Sequence, residues 1–297
     1  MQKIAWVIVL VLMTYQAKSC DVCGCGASNN QLGILPKFQK HFIGFKTQYI
    51  GFESRSHHSN DNSIESKEQF IIAQLWGRYV LSNRIHLFAF LPYKISQRSV
   101  NNITTNVQGI GDASLMANII IINIQKDIWK QALQIGGGVK LPTGKYKIIE
   151  DGLLLHSNIQ PGTGSIDIPM NMQYTLRYKA IGMNAEMNYT VSGSNKMHNT
   201  FGNKSTSTLR FFAWKQIKNI SILPNIGISY EHAQKDFTSN ELQQYTGGNS
   251  TVANIGLDLY YKNIGLNLLF QKSVSQNLGD GYIQAQPRLA ANISYLF

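Results

Sequence analysis

Hydrophobic and polar residues alternate along most of the chain beyond residue 38. In SIDIPMNMQYTLRY, residues 165–178, the even positions are apolar or aromatic and the odd positions are mostly polar. Because successive side chains of a β-strand point to opposite faces, such a run predicts a strand with one apolar and one polar face. Twelve runs of this kind follow one another, at approximately residues 38–53, 67–81, 84–98, 107–124, 131–146, 165–178, 181–194, 204–217, 220–235, 250–262, 264–275 and 282–297.

The connections between these runs alternate in length. Short turns such as SN and KN join runs two and three, four and five, six and seven, eight and nine, and ten and eleven. This alternation is typical of outer-membrane barrels, whose even strand number brings both chain ends to the rim with short turns. The other connections are long and polar: SRSHHSNDNSIES, SVNNITTN, KIIEDGLLLHSNIQPGTG, NKMHNTFGN, DFTSNELQQYTGGN and SQNLGDG.

Strand length and apolar area favour a membrane barrel over a soluble sandwich. Several runs reach the roughly nine to eleven residues that a tilted strand needs to cross a bilayer. A sandwich would also have to bury twelve apolar faces in one interior. We therefore predict an all-β fold, a closed antiparallel transmembrane β-barrel of about twelve strands. Aromatic residues near run ends are candidates for its interfacial girdles: Phe38, Tyr49, Tyr79, Tyr93, Tyr146, Tyr178, Tyr189, Tyr230, Tyr260, Tyr261, Tyr282 and Tyr295.

The chain ends on the alternating stretch RLAANISYLF. In lipid an open sheet edge leaves unpaired backbone groups, each costing several kcal/mol, so we expect this last strand to pair with the first. Tyr295 and Phe297 then lie on its lipid face. They resemble the C-terminal aromatic signature by which outer-membrane proteins are recognised for assembly, so the assembly machinery is an expected partner, together with outer-membrane lipid.

The N-terminus has the pattern of a cleaved secretory signal peptide. MQK supplies positive charge, IAWVIVLVLM is apolar, and Ala17 and Ser19 are small residues placed before a cleavage point. The apolar run is about half the roughly twenty residues of a membrane helix. We predict a signal peptide at 1–19, a periplasmic Cys-containing segment at 20–37 and a barrel at 38–297, in the outer membrane of a Gram-negative bacterium.

Composition and motifs argue against several other functions. Only 14% of residues are charged, and the cations behind the net charge of +11 are scattered, so we expect no nucleic-acid partner. GGGVKLPTGK lacks the Ser or Thr and the following helix of a phosphate-binding loop. His232 with Ser229 or Ser273 is conceivable as a catalytic pair, but no motif marks it, so we expect no enzyme.

The polar face of the runs predicts the lining of the lumen. Twelve strands lie between the eight that side chains can fill and the sixteen that leave an open channel. The inward charges could either select the solutes that pass or form a structural network of ion pairs. A loop could also partly plug the lumen. The predicted lumen-lining charges are Lys46, Arg78, Lys94, Asp112, Lys140, Asp167, Arg177, Glu186, Arg210, Glu231, Asp258 and Arg288.

Cys20, Cys23 and Cys25 are the only cysteines, and they form C-x-x-C-x-C at the predicted mature N-terminus. Three thiols so close together could bind a soft metal ion such as Cu(I) or zinc. A disulfide with one leftover thiol and lipidation of Cys20 are alternatives. No other cofactor is expected.

Several stretches together resemble a known family. They are CDVCGCG, LFAFLPYKI, GIGDASLMAN, GGGVKLPTGKY, PGTGSIDIPMNMQY and LPNIGISYEH, and they extend over most of the chain. They are similar to bacterial outer-membrane barrels described as transporters and related to the phenol-degradation-pathway (MetA-type) barrels, in a Bacteroidetes-like version. The resemblance implies an outer-membrane barrel with a transport role and indicates no substrate.

We therefore predict a porin-like channel or transporter that carries small solutes across the outer membrane. One alternative is a metal-linked role, in which the cysteine cluster binds copper or another soft metal. Another is a non-conducting surface protein whose long loops bind a partner.

Overall fold

The structure, a computed structural model, describes residues 40–55, 64–100, 103–150 and 152–297. In these residues the chain forms one closed antiparallel barrel of twelve strands, which confirms the predicted fold. The predicted signal peptide and the cysteine segment lie outside the described residues. Among the described residues no helix has the length and apolar character needed to span a membrane.

The barrel strands are labelled in chain order, and β4, β8 and β12 are each interrupted once. They are β1 (Phe42–Arg55), β2 (Ile64–Val80), β3 (Ile85–Val100), β4 (Ile103–Ile110 and Ser114–Gln125), β5 (Trp129–Lys140), β6 (Ile168–Tyr178), β7 (Ile181–Val191), β8 (Lys204–Ala213 and Lys215–Ile217), β9 (Ile220–Ala233), β10 (Gly248–Tyr261), β11 (Ile264–Leu278) and β12 (Ile283–Ala285 and Arg288–Leu296). Two short hairpins, Ile149–Glu150 with Leu153–Leu154 and Phe237–Thr238 with Glu241–Leu242, and two short 3₁₀ helices, Ser157–Ile159 and Gly279–Gly281, lie in the loops.

Each strand pairs with its neighbours in sequence, and the last strand closes the ring. Phe42 pairs with Leu296 and Tyr49 with Leu289, so β12 lies beside β1 as predicted. A closed ring leaves no row of unpaired backbone groups in the hydrocarbon, which is what allows a sheet to cross a bilayer.

Tight turns mark one rim of the barrel. Three of its hairpins turn through two residues. The first turn residue in each has a left-handed backbone, with φ of 51° at Lys179, 50° at Lys218 and 50° at Lys262. Such turns match the right-handed twist of paired strands. Lys40 and Phe297 lie at the same rim, so both ends of the described chain are there, as predicted.

Two predicted connections differ from the structure. SVNNITTN is not a long loop, because Ile103–Ile110 pairs with Tyr93–Val100 and continues the sheet. The run predicted over 131–146 ends as a strand at Lys140, and the chain then turns into the barrel. The alternation in VKLPTGKY continues past the point where the backbone leaves the sheet, so the pattern alone could not locate that end.

The outer surface of the wall is apolar. Ile226, Ile255 and Ile293 are 63%, 61% and 52% exposed, and they lie on the faces that the sequence pattern assigned to lipid. A closed barrel with an apolar exterior is an outer-membrane protein. The girdle prediction is wrong for Tyr260, which is buried inside and contacts Asn267.

The interior is less polar than the pattern predicted. Three apolar clusters lie on inward faces, and β1, β2 and β3 carry large apolar residues on both faces. The largest is near the long-loop rim and includes Ile50, Phe52, Phe70, Val107 and Ile159. The other two are near the short-turn rim and consist of Phe42, Trp76, Phe88, Phe90, Met116 and Leu296, and of Phe212, Leu223 and Tyr260 with Trp214.

Candidate functional site: the lumen and its inward loop

None of the twelve charged residues predicted for the lumen is exposed. Lys46, Lys94, Lys140 and Arg177 are half-buried. The other eight are buried: Arg78, Asp112, Asp167, Glu186, Arg210, Glu231, Asp258 and Arg288.

The structure joins seven of these charges into ion pairs, most of them between groups on neighbouring strands. Lys140 lies 3.0 Å from Asp112 and 2.6 Å from Asp167. Arg288 lies 2.8 Å from Glu231, and Arg210 lies 3.9 Å from Glu186. Arg177 belongs to none of these pairs and lies over the ring of Trp214, with its guanidinium carbon 4.4 Å from the ring centroid.

The sequence analysis missed one inward ion pair and one inward lysine. Glu68 is fully buried, and its carboxylate lies 3.3 Å from the guanidinium of Arg98. Lys204 lies over the ring of Phe201 at 5.5 Å. Glu68 stands in ESKEQ, which resembles a polar loop, although its even position matches the inward residues Phe70 and Ile72.

The segment that joins β5 to β6, residues 141–167, is called the inward loop, because its described arms and its tip at Ile159 enter the lumen. Asp112 fastens its two arms, because its carboxylate accepts hydrogen bonds from the backbone N–H groups of Gly144 (3.0 Å) and Thr163 (2.9 Å). The arms touch where Gly144 faces Gly162. A Cβ built on Gly162 would lie 2.5 Å from the carbonyl carbon of Gly144, so only glycine fits there.

The tip of the inward loop crosses to another part of the wall. Ile159 is 1% exposed and packs in the apolar cluster of β1, β2 and β12. The ammonium of Lys94 donates hydrogen bonds to the backbone carbonyls of Asn158 (2.5 Å) and Gln160 (3.0 Å). An apolar side chain and a half-buried lysine therefore hold the tip across the barrel.

Two cavities lie against this loop. The inner cavity has a volume of about 150 Å³ and is lined by Gln48, Phe70, Gln74, Lys94, Lys140 and Lys204, among others. The outer cavity has a volume of about 170 Å³ and is lined by residues of the long-loop rim, including Leu154, His156, Thr200 and Phe237. Ser157, Asn158 and Phe201 line both cavities, so they form the partition between them.

A ladder of amides follows the inner wall toward the short-turn rim. Trp76 donates to Asn292 (2.8 Å), Asn292 to Asn267 (2.7 Å), and Asn267 to Asp258 (2.9 Å). Such a ladder satisfies polar groups inside a narrow barrel. With the apolar clusters of the same rim, it leaves little room for a wide channel.

The predicted metal ligands Cys20, Cys23 and Cys25 lie outside the described residues, so a soft-metal site there stays a prediction. Within residues 40–55, 64–100, 103–150 and 152–297, no group of three or more His, Cys, Asp or Glu side chains could hold a metal ion.

Comparison with known proteins shows that this barrel has the fold of a solved outer membrane channel. No known protein family and no curated protein matches this sequence. The crystal structure of the COG4313 outer membrane channel from Pseudomonas putida F1 is similar, with a TM-score of 0.66 and 13% identity over 91% of this chain and 99% of that chain. At this identity the likeness concerns the fold.

Two autotransporter domains are also similar, with TM-scores of 0.49. The translocator domain of NalP from Neisseria meningitidis is 11% identical over 89% of this chain and 91% of that chain. The β domain of the Bordetella autotransporter BrkA is 10% identical over 86% of this chain and 99% of that chain.

Proposed function

We propose that this chain is a narrow passive conduit that carries small solutes across the outer membrane. The observation that carries the proposal is the inner cavity, a chamber inside a membrane barrel that shares a partition with a second cavity at the long-loop rim. The COG4313 protein, which has the same fold, is described as an outer membrane channel, and this likeness supports a similar role.

The geometry also supports a small size for the solute. A barrel of twelve strands has a narrow interior. Here the inward loop occupies part of it, and aromatic side chains such as Trp76, Phe88 and Phe90 occupy the short-turn end. Passage therefore requires a compact solute and some displacement of the loop.

Liposome swelling tests the proposal. Vesicles that contain the purified, folded protein should swell in neutral sugars at a rate that falls steeply with sugar size, because the chamber is small. Protein-free vesicles are the control. If protein-containing vesicles swell no faster than these in the smallest sugar, the conduit proposal is wrong, and a non-conducting surface protein is favoured instead.

The metal-linked role is tested separately, by replacing Cys23 and Cys25 with serine. If the cluster binds copper, the variant loses copper binding while its swelling rate stays unchanged. Unchanged copper binding in the variant would exclude these cysteines as ligands.

Recognition by the assembly machinery is supported by the position of the last aromatic residues. Tyr295 and Phe297 are 52% and 59% exposed on the outside of β12, and their rings stack 6.3 Å apart. They are accessible there to a partner that binds the last strand. Removal of Phe297 should lower the yield of folded barrel in the outer membrane, and an unchanged yield would contradict this role.

A further inference from the structure

More lysines than aspartates line the inner cavity. Among its lining residues are three lysines, Lys94, Lys140 and Lys204, and two aspartates, Asp112 and Asp167. Both aspartates are already bound to Lys140, which lies within 3.0 Å of each. Asp112 also accepts three hydrogen bonds from Gly144 and Thr163, so its carboxylate is occupied by the inward loop.

Lys94 differs from Lys140 in the groups that hold it. It donates to the backbone carbonyls of Asn158 and Gln160, and its ammonium lies 4.8 Å from the ring centroid of Phe70. These three direct partners are uncharged, whereas the carboxylates of Glu68 and Asp112 attract the ammonium from farther away. For an ammonium donor a carboxylate is a stronger acceptor than an amide carbonyl, because the attraction between opposite charges adds to the hydrogen bond.

We propose that the inner cavity is a binding site for small carboxylates, with Lys94 as the anchor; this inference rests on the proposed conduit and names its solute class. The amides of Gln48 and Gln74 line the same cavity and supply neutral donors. Lys204 lies on another part of the wall and adds positive charge to the chamber.

Binding at Lys94 also acts on the inward loop. Asn158, whose carbonyl accepts from Lys94, is one of the three residues of the partition between the two cavities. A carboxylate that accepts hydrogen bonds from this ammonium competes with the carbonyls of Asn158 and Gln160. The bound solute therefore loosens the segment that separates it from the outer cavity, which links binding to passage.

Succinate and succinamide test this site, because they have the same shape and differ in charge. Uptake of each radiolabelled compound is measured in vesicles that contain the full mature protein, and binding is measured by calorimetry on folded protein in detergent. The wild type should prefer succinate. Lys94→Gln should lower the succinate-to-succinamide ratio about tenfold, because a charge-assisted hydrogen bond is lost. Lys94→Arg should retain most of the ratio.

The matched control is Lys272→Gln, which removes the same charge from the outer face of β11, where Lys272 is exposed. Heat-modifiable mobility on a gel shows that each variant is folded. If the wild type takes up both compounds equally, or if Lys94→Gln keeps the wild-type ratio, the carboxylate site is wrong while the conduit stands. If neither compound enters but succinate binding depends on Lys94, the site stands and the conduit is wrong.

Discussion

Arg288 on β12 reaches past two strands to Glu231 on β9, and its Nη1 lies 2.8 Å from the Oε1 of Glu231. Both side chains are almost completely buried, at 2% and 3% exposure. The pair therefore links opposite ends of a four-strand section of the wall through the interior. Such a link adds an interior side-chain contact to the backbone hydrogen bonds that hold neighbouring strands together.

We expect Glu231→Gln to destabilise the folded barrel by about 3–5 kcal/mol, because it leaves the guanidinium of Arg288 buried beside a neutral amide. Denaturant unfolding in lipid vesicles measures this change. The control is Asp280→Asn, which breaks the exposed pair of Asp280 with Lys235 (2.8 Å). Exposed pairs contribute only about 0–1 kcal/mol. Equal effects of the two substitutions would contradict the account.

Gly162→Ala tests how the arms of the inward loop meet. The new Cβ would lie 2.5 Å from the carbonyl carbon of Gly144, so one arm has to move and the loop should withdraw from the lumen. We expect faster swelling of vesicles in neutral sugars. Gly137→Ala is the matched control, because a Cβ there meets Pro169 at an ordinary 3.7 Å. A wild-type swelling rate for Gly162→Ala would contradict a loop that restricts the lumen.

Ile159→Ala tests the tip of the same loop. Ile159 is 1% exposed, and truncation of a buried isoleucine to alanine costs about 2–5 kcal/mol. Here that loss weakens the packing of the loop tip against the barrel wall. The tip should undock more often, which protease sensitivity of the loop in folded protein measures. Ile149→Ala, on the same loop but at a 65% exposed position, should leave cleavage unchanged. Equal cleavage of the two variants would mean that Ile159 does not hold the tip of the loop in place.

Ile226→Lys tests the lipid face. Ile226 is 63% exposed in the middle of β9, and a lysine at the bilayer midplane costs about 2–4 kcal/mol. Ile220→Lys, at the short-turn end of the same strand, should cost about 0–1 kcal/mol because the side chain reaches the interface. Unfolding in vesicles compares the two. If the Ile226→Lys protein is as stable as the Ile220→Lys protein, this face does not contact hydrocarbon.

The barrel could be predicted from the sequence because its strands alternate cleanly in most of the chain. In β9 the inward positions Asn225, Ser229 and Glu231 are polar and the outward isoleucines are apolar. The alternation therefore shows both that the segment is a strand and which of its faces points into the lumen. In β3 both faces are apolar: Phe88 and Phe90 point inward while Leu87 and Leu91 point outward. Periodicity does not show which face of β3 points inward, which is why the apolar cluster that contains Phe88 and Phe90 was missed.

The sequence predicted that some loop could partly plug the lumen, but it did not identify which segment does so. Lys94 and Lys140 lie on β3 and β5, Asp112 lies in the break of β4, and Asp167 directly precedes β6, so the pairing of these neighbouring strands brings the anchors together. Single-sequence patterns describe neighbours within a strand, whereas these contacts depend on the register of the whole barrel. Glu68 lies within the run predicted over 67–81, but its neighbours on the same face, Phe70 and Ile72, are apolar, so its inward position was missed.

The central claim, a solute conduit restricted by the inward loop, is tested most directly by planar-bilayer recording from purified, folded protein. The account predicts discrete single-channel steps in potassium chloride for the wild type, and larger or longer openings for Ile159→Ala. Verified insertion of both proteins with no conductance in either would contradict it.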